Sequence, residues 1–159
     1  MLSNGIQSAE FIEVLALTLK AAGLDTKMAC CNAAGWDSQA KMLASIEAAG
    51  AENPLSVVTS HGYSSSPDDP LNTALPVWQT DCSGLHGNWA NAWDDRSATR
   101  EGLTWAINIQ NAFTQSNVSA FIYWQDAEIT NKNTALIKLD GDAFQLSRAQ
   151  FSWFVRPVQ

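Results

Sequence analysis

Basic side chains are scarce in this chain: nine Lys and Arg stand against sixteen Asp and Glu, for a formal net charge of -7. A nucleic-acid partner needs clustered cations to neutralise phosphates, so none is expected. The acidic balance also argues against a membrane surface, and no apolar run approaches the roughly 20 residues that span a bilayer. Cysteine is limited to Cys30, Cys31 and Cys82, an odd set whose adjacent pair would rarely bond to itself, so no disulfide framework follows. His61 and His86 with Cys82 are too sparse and irregular for a structural metal centre, and neither metal nor cofactor is expected. Met1 to Gly5 has no basic n-region and no apolar h-region, so it does not read as a signal peptide. What is present is a folding composition, 46% apolar with only 16% charged residues, well above the hydrophobic content of disordered chains. At 159 residues one domain, 1–159, is expected.

Apolar residues recur at helical spacing from Ser8 to Ala22 (Phe11, Ile12, Leu15, Ala16, Leu19), with Gly23 placed as a C-terminal stop. Thr26 to Cys31 reads as a short strand buried on both faces. Asp37 is a plausible N-cap for a second helix, Ser38 to Ala49, closed by Gly50. Leu55 to Ser60 is β-branched and strand-like and runs into His61-Gly62-Tyr63, followed by a polar loop, Ser64 to Pro70. Pro76 to Thr80 is a third strand, and a long segment with Gly84, Gly87, Trp89 and Trp93 follows it. Glu101 to Phe113 is an amphipathic helix and Val118 to Trp124 a fourth buried strand. A hairpin is expected around Asp140-Gly141-Asp142, and a last helix from Ser147 to Arg156, stopped by Pro157.

Short apolar strands alternating with helices indicate βα units and a parallel sheet. An open doubly wound sheet would be the default, but it advertises its ligand site with a glycine-rich turn after the first strand, and none is present. Polar and aromatic residues gather instead after the strands: Trp36 and Asp37, then His61 and Tyr63, then Asp81, then Trp124. In a βα barrel those ends form the active-site face.

Leu75-Pro76-Val77-Trp78-Gln79-Thr80-Asp81, preceded by Ser60-His61-Gly62-Tyr63 and followed by Glu101-Gly102-Leu103-Thr104-Trp105-Ala106, resembles the later part of fungal enzymes of glycoside hydrolase family 30, notably endo-β-1,6-galactanases. Ser147 to Pro157 resembles that family's last barrel helix. The resemblance covers nearly the whole chain, from the fourth barrel helix through strands five to eight. It implies an α/β fold that is a partial (β/α)8 barrel without its N-terminal half, and an extracellular origin. It also implies a β-linked polysaccharide or oligosaccharide as substrate and no cofactor.

The family hydrolyses with retention, using an acid/base glutamate after strand four and a nucleophilic glutamate after strand seven. The first is not in this chain, and Asp81 stands where the family pattern has Thr-Glu. A retaining site needs two carboxyls about 5–5.5 Å apart, so the chain by itself is not expected to cleave a glycosidic bond. A four-strand arc would also expose sheet edges, which favours self-association.

Each candidate has a plainer reading. Asp81 could be a capping carboxylate rather than the nucleophile-position residue. His61 and Tyr63 could hydrogen-bond sugar hydroxyls or orient the strand-seven carboxylate, or simply close a barrel layer; Trp36 is a further candidate for substrate contact. Trp124 could be a sugar platform or core filler, and Trp89 with Trp93 could line a groove or be buried under their own loop. Cys82 with His61 as a thiol hydrolase lacks the local signature such families carry. Asn117-Val118-Ser119 fits a glycosylation acceptor, meaningful only in a secreted protein. The alternative to a glycanase lineage is a non-catalytic carbohydrate-binding protein that keeps aromatic subsites without the chemistry.

Overall fold

In the computed structural model of the chain the described residues are 4–88, 93–94, 102–129, 132–140 and 143–146. In chain order the elements are α1 (Gly5–Ala21), β1 (Met28–Ala33), α2 (Trp36–Ala48), β2 (Leu55–His61), β3 (Val77–Asp81), β4 (Gly84–Asn88), α3 (Gly102–Thr114), β5 (Ala120–Phe121), β6 (Ala127–Glu128), β7 (Lys132–Asn133), β8 (Ile137–Asp140) and β9 (Ala143–Leu146). The chain divides into two compact units, one of residues 1–81 and 112–122, the other of residues 82–111 and 123–159.

The first unit holds a four-stranded parallel sheet in the order β1-β2-β3-β5. Each strand lies beside the next one in sequence, without the reversal of order that defines a doubly wound sheet. That is the progression of a barrel arc. α1 begins with a reciprocal cap: the Asn4 side chain accepts from the Gln7 N–H at 2.9 Å while the Gln7 side chain accepts from the Asn4 N–H at 3.0 Å. It ends before Gly23, whose φ of +68° suits glycine.

α2 starts two residues before its predicted first residue, and Asp37 is not its N-cap. Gly35 takes that place with no side-chain bond. Ser65 from the following loop does the capping, its carbonyl accepting the Trp36 N–H at 3.2 Å and its hydroxyl the Asp37 N–H at 2.9 Å. A distant loop thus satisfies donors that a helix start cannot satisfy itself.

Met42 and Ile46 of α2 pack with Ala9, Ile12, Met28 and Leu55 in one cluster. Trp36 and Leu43 pack with Val58, Leu71, Val77 and Val118 in another. β1 was predicted to be buried on both faces over Thr26 to Cys31; it runs from Met28 to Ala33 with alternating burial instead. Met28 and Cys30 pack into the cluster with α1 and α2, while Ala29 and Asn32 are exposed. Phe11 is exposed rather than core, along with Ile6, Val14 and Leu17 of α1. Between α1 and the β1 edge lies a groove of ≈ 690 Å³ lined by Phe11, Ile12, Leu15, Leu19 and Thr26 to Cys31. Cys30 and Cys31 are neighbours in β1 with their sulfurs set against each other. The fourth strand, expected from Val118 to Trp124, has only Ala120–Phe121 in the ladder.

In the second unit the segment read as a loop contains β4, antiparallel to β7. The expected hairpin is β8 with β9, antiparallel from Ile137↔Leu146 to Asp140↔Ala143, and β6 runs parallel beside β8. Trp105 of α3 is buried edge-on against Tyr123, with ring centroids 4.8 Å apart. Glu101 and the predicted helix from Ser147 to Arg156 lie outside the described residues. Among the described residues no helix is long and apolar enough to cross a membrane.

Candidate active site

Asp81 is the last residue of β3, at the carboxyl end of the parallel sheet. The pairing of β2 with β3 shifts there: Ser60 faces Gln79 and His61 faces Asp81, which leaves Thr80 as the extra residue. A similar shift in β1 leaves Asn32 extra, between Cys31↔Thr59 and Ala33↔Ser60. The two irregular residues are tied across β2, because the Thr80 hydroxyl donates to Asn32 Oδ1 at 2.8 Å and lies 3.2 Å from the Ser60 carbonyl. Such shifts re-aim the side chains that follow them, and here the residue re-aimed is Asp81.

Its carboxylate is held from β2 and the loop after it. The Tyr63 hydroxyl donates to Asp81 Oδ1 at 2.6 Å. His61 Nε2 lies 3.8 Å from Oδ2, beyond hydrogen-bond reach but close enough to steer a charge. The His61 and Tyr63 rings meet edge-on with centroids 5.8 Å apart. The Asp81 backbone carbonyl is fixed as well, accepting from the Gly62 N–H and from Gln79 Nε2, both at 2.9 Å. With 20% of the Asp81 side chain and 24% of that of His61 exposed, the pair is neither a sealed salt link nor a freely solvated one. One carboxylate oxygen is fixed by a neutral donor while the other stays open toward a weaker neighbour, an arrangement suited to attack from a defined direction.

No family model matches the chain. Among solved structures, the chain aligns over 99% of its length with the catalytic domain of xylanase C, of glycoside hydrolase family 30, from Talaromyces cellulolyticus, at 39% sequence identity and a TM-score of 0.88. The chain has the fold of part of a family 30 glycoside hydrolase catalytic domain. It spans 37% of the length of that xylanase chain, and the partial-barrel reading of the parallel sheet agrees with the match.

The structure brings together three of the sequence-predicted residues, Asp81, His61 and Tyr63. Trp36 is not a surface for sugar. It is 4% exposed, it belongs to the core beside Leu43 and Val58, and its indole N–H is spent on the Asp69 carbonyl at 2.6 Å. Being the first residue of α2, it turns inward with the helix rather than outward with the strand ends. Trp124, in the second unit, is 51% exposed and its backbone N–H donates to the Cys82 carbonyl at 3.0 Å. Trp93 is half-exposed rather than buried under its loop, and Trp89 lies outside the described residues. Among the described residues no group of His, Cys, Asp and Glu is placed to hold a metal.

Sequence reasoning missed Asn32, Thr80 and Gln79. A signal existed for the first, an asparagine closing an apolar strand, because asparagine tolerates the positive φ that Asn32 adopts at 55°. Nothing in the sequence marked Gln79, which is fully buried, as a brace for its neighbour two residues on.

Proposed function

We propose that this chain supplies strands five to eight, the C-terminal half, of a secreted retaining β-glycanase barrel, with Asp81 as the nucleophile. Both units belong in this reading to one catalytic domain. The observation that carries it is the Asp81 carboxylate at a strand's carboxyl end, bound by Tyr63 and flanked by His61. In a retaining reaction one Asp81 oxygen bonds to the anomeric carbon as the glycosidic bond breaks. The leaving oxygen takes a proton from an acid/base glutamate supplied by the preceding half of the barrel, and water then releases the sugar from Asp81 with that glutamate acting as base. Tyr63 orients the attacking group and His61 is placed to meet a sugar hydroxyl beside it.

The sequence resemblance favours β-1,6-galactan as substrate, and the structural similarity to the catalytic domain of a xylanase favours xylan. Reducing ends released from each polymer by this chain joined to a family 30 N-terminal half, and by the chain alone, test the proposal. Turnover only by the joined protein, lost with Asp81, is the expected result; no turnover of either polymer by the joined protein refutes it. In that protein Tyr63→Phe should lower kcat/KM by about 10- to 100-fold, the equivalent of removing one hydrogen bond to a charged group, with little change in melting temperature.

The open edge of β1 and the apolar groove under α1 are the surfaces such a half would cover. Without it the chain should self-associate through that edge, seen in sedimentation as species heavier than one chain. A well-behaved monomer across a wide concentration range would refute this.

The exposed Trp124 favours a second reading, a carbohydrate-binding protein without turnover. Isothermal titration with β-1,6-galacto- and xylo-oligosaccharides should then give binding that Trp124→Ala abolishes, and the joined protein should release no reducing ends.

A further inference from the structure

We propose that Asn117 is a site of N-linked glycosylation, carrying its glycan on the pole of the parallel sheet opposite Asp81. Asn117-Val118-Ser119 is the one Asn-X-Ser/Thr triplet in the sequence with X other than proline. The structure sets it in the turn between α3 and β5. Asn117 and Ser119 are exposed while Val118 between them is buried, so the triplet is anchored by its middle residue with both functional side chains on the outside.

Two demands of the fold can be separated from the motif. Asn117 adopts φ of 53° where the chain leaves α3, and the Val118 N–H returns to the Ala112 carbonyl at 3.2 Å. That left-handed position calls for glycine or asparagine, so the fold accounts for an asparagine there. It does not account for the hydroxyl two residues on. The Ser119 hydroxyl lies 3.3 Å from the Val77 carbonyl, which already accepts the Ser119 backbone N–H at 2.8 Å. The hydroxyl adds little to a ladder that the backbone completes, and it is the group that glycosyl transfer to asparagine requires.

The position also suits the chemistry proposed for Asp81. Ser119 pairs with Val77, the first residue of β3, whereas Asp81 is the last. Four strand steps separate them, about 13 Å at the usual rise. A glycan on Asn117 leaves the sheet from the strands' amino ends and does not crowd the carboxylate. In the transfer the Asn117 amide nitrogen bonds to the anomeric carbon of an oligosaccharide carried on a lipid diphosphate; the lipid diphosphate departs and the nitrogen loses one proton. The co-reactant and its transferase are those of the secretory pathway, so natural occupancy rests on the secretory origin proposed above.

The test uses the full chain behind a cleavable secretion signal, translated with endoplasmic-reticulum microsomes and, separately, secreted from a yeast. The expected product carries one glycan, removed by peptide N-glycosidase with conversion of residue 117 to aspartate, as read by peptide mass spectrometry. Asn117→Asp, which keeps the tolerance for positive φ, and Ser119→Ala should lose the glycan completely, and Ser119→Thr should retain it. An unmodified Asn117 in chains whose signal has been cleaved, or a glycan persisting in Ser119→Ala, would overturn the proposal. Because the readout is the glycan and not turnover, it stands or falls separately from the role of Asp81.

Discussion

Asp81→Asn in the completed barrel should lower kcat by on the order of 10⁴-fold or more, the scale seen when a nucleophile is removed from an otherwise intact site. Asparagine keeps the shape of aspartate and leaves an oxygen to accept from Tyr63, which now donates at 2.6 Å. Folding and sugar binding should therefore persist while covalent attack is lost. Turnover of the released polymer fragments and oligosaccharide titration on the same preparation separate the two. Asp81→Glu is the informative companion, since it advances the carboxylate by one methylene. A displacement of roughly 1 Å can change a rate by about 10²-fold. A rise with glutamate would mean that the aspartate is a weakened form of the site, and a fall would mean that the register shift at Thr80 has adapted the strand end to the shorter side chain. Undiminished turnover in Asp81→Asn would remove Asp81 from the mechanism.

Gly35→Ala should destabilise the chain by about 1–3 kcal/mol, the usual range for forcing a methyl into packed surroundings. A Cβ on Gly35 would overlap the Ser64 hydroxyl and the Ser65 backbone nitrogen. The glycine is in extended backbone, with φ of -165°, so the cost is steric rather than conformational. Serine rotation can relieve the first overlap, but the second is with main chain. Ser65 caps α2, and the Tyr63 and Ser64 N–H groups both donate to the Ala34 carbonyl at 3.0 Å. Pushing this loop away uncaps the helix and draws Tyr63 off Asp81. A lowered urea midpoint together with a loss of activity resembling that of Tyr63→Phe is the expected outcome. A wild-type midpoint would show that the loop moves freely and does not brace the site.

α1, α2 and α3, the β2 and β3 strands and the hairpin were legible because each rests on local pattern: Ile12 with Leu15 and Leu19 for α1, the β-branched run at Val57 and Val58 for β2, Asp140-Gly141 for the hairpin. Misreadings fell where partners at a distance decide. Asp37 had the chemistry of a cap, but Ser65 does the capping. Phe11 had the spacing of a core residue and is exposed, because α1 is apolar around more of its circumference than this unit covers. Trp36 stood after a strand, where a barrel places its ligand contacts, yet helix α2 already begins there and rotates the ring into the core. β4 was unreadable because its partner, β7, is far along the chain and only two residues long.

Composition and the helical and strand periodicities were enough by themselves to indicate an α/β chain, and the order of motifs from Ser60 to Ala106, through its resemblance to glycoside hydrolase family 30, singled out Asp81, His61 and Tyr63. Only the tertiary structure decided that these three meet, that Asn32 and Thr80 lock the strand ends beside them, and that Trp36 does not join them. The reason is physical: periodicity reports which face of an element is apolar, whereas register shifts and loop docking depend on backbone hydrogen bonds between segments distant in sequence, which leave no local trace.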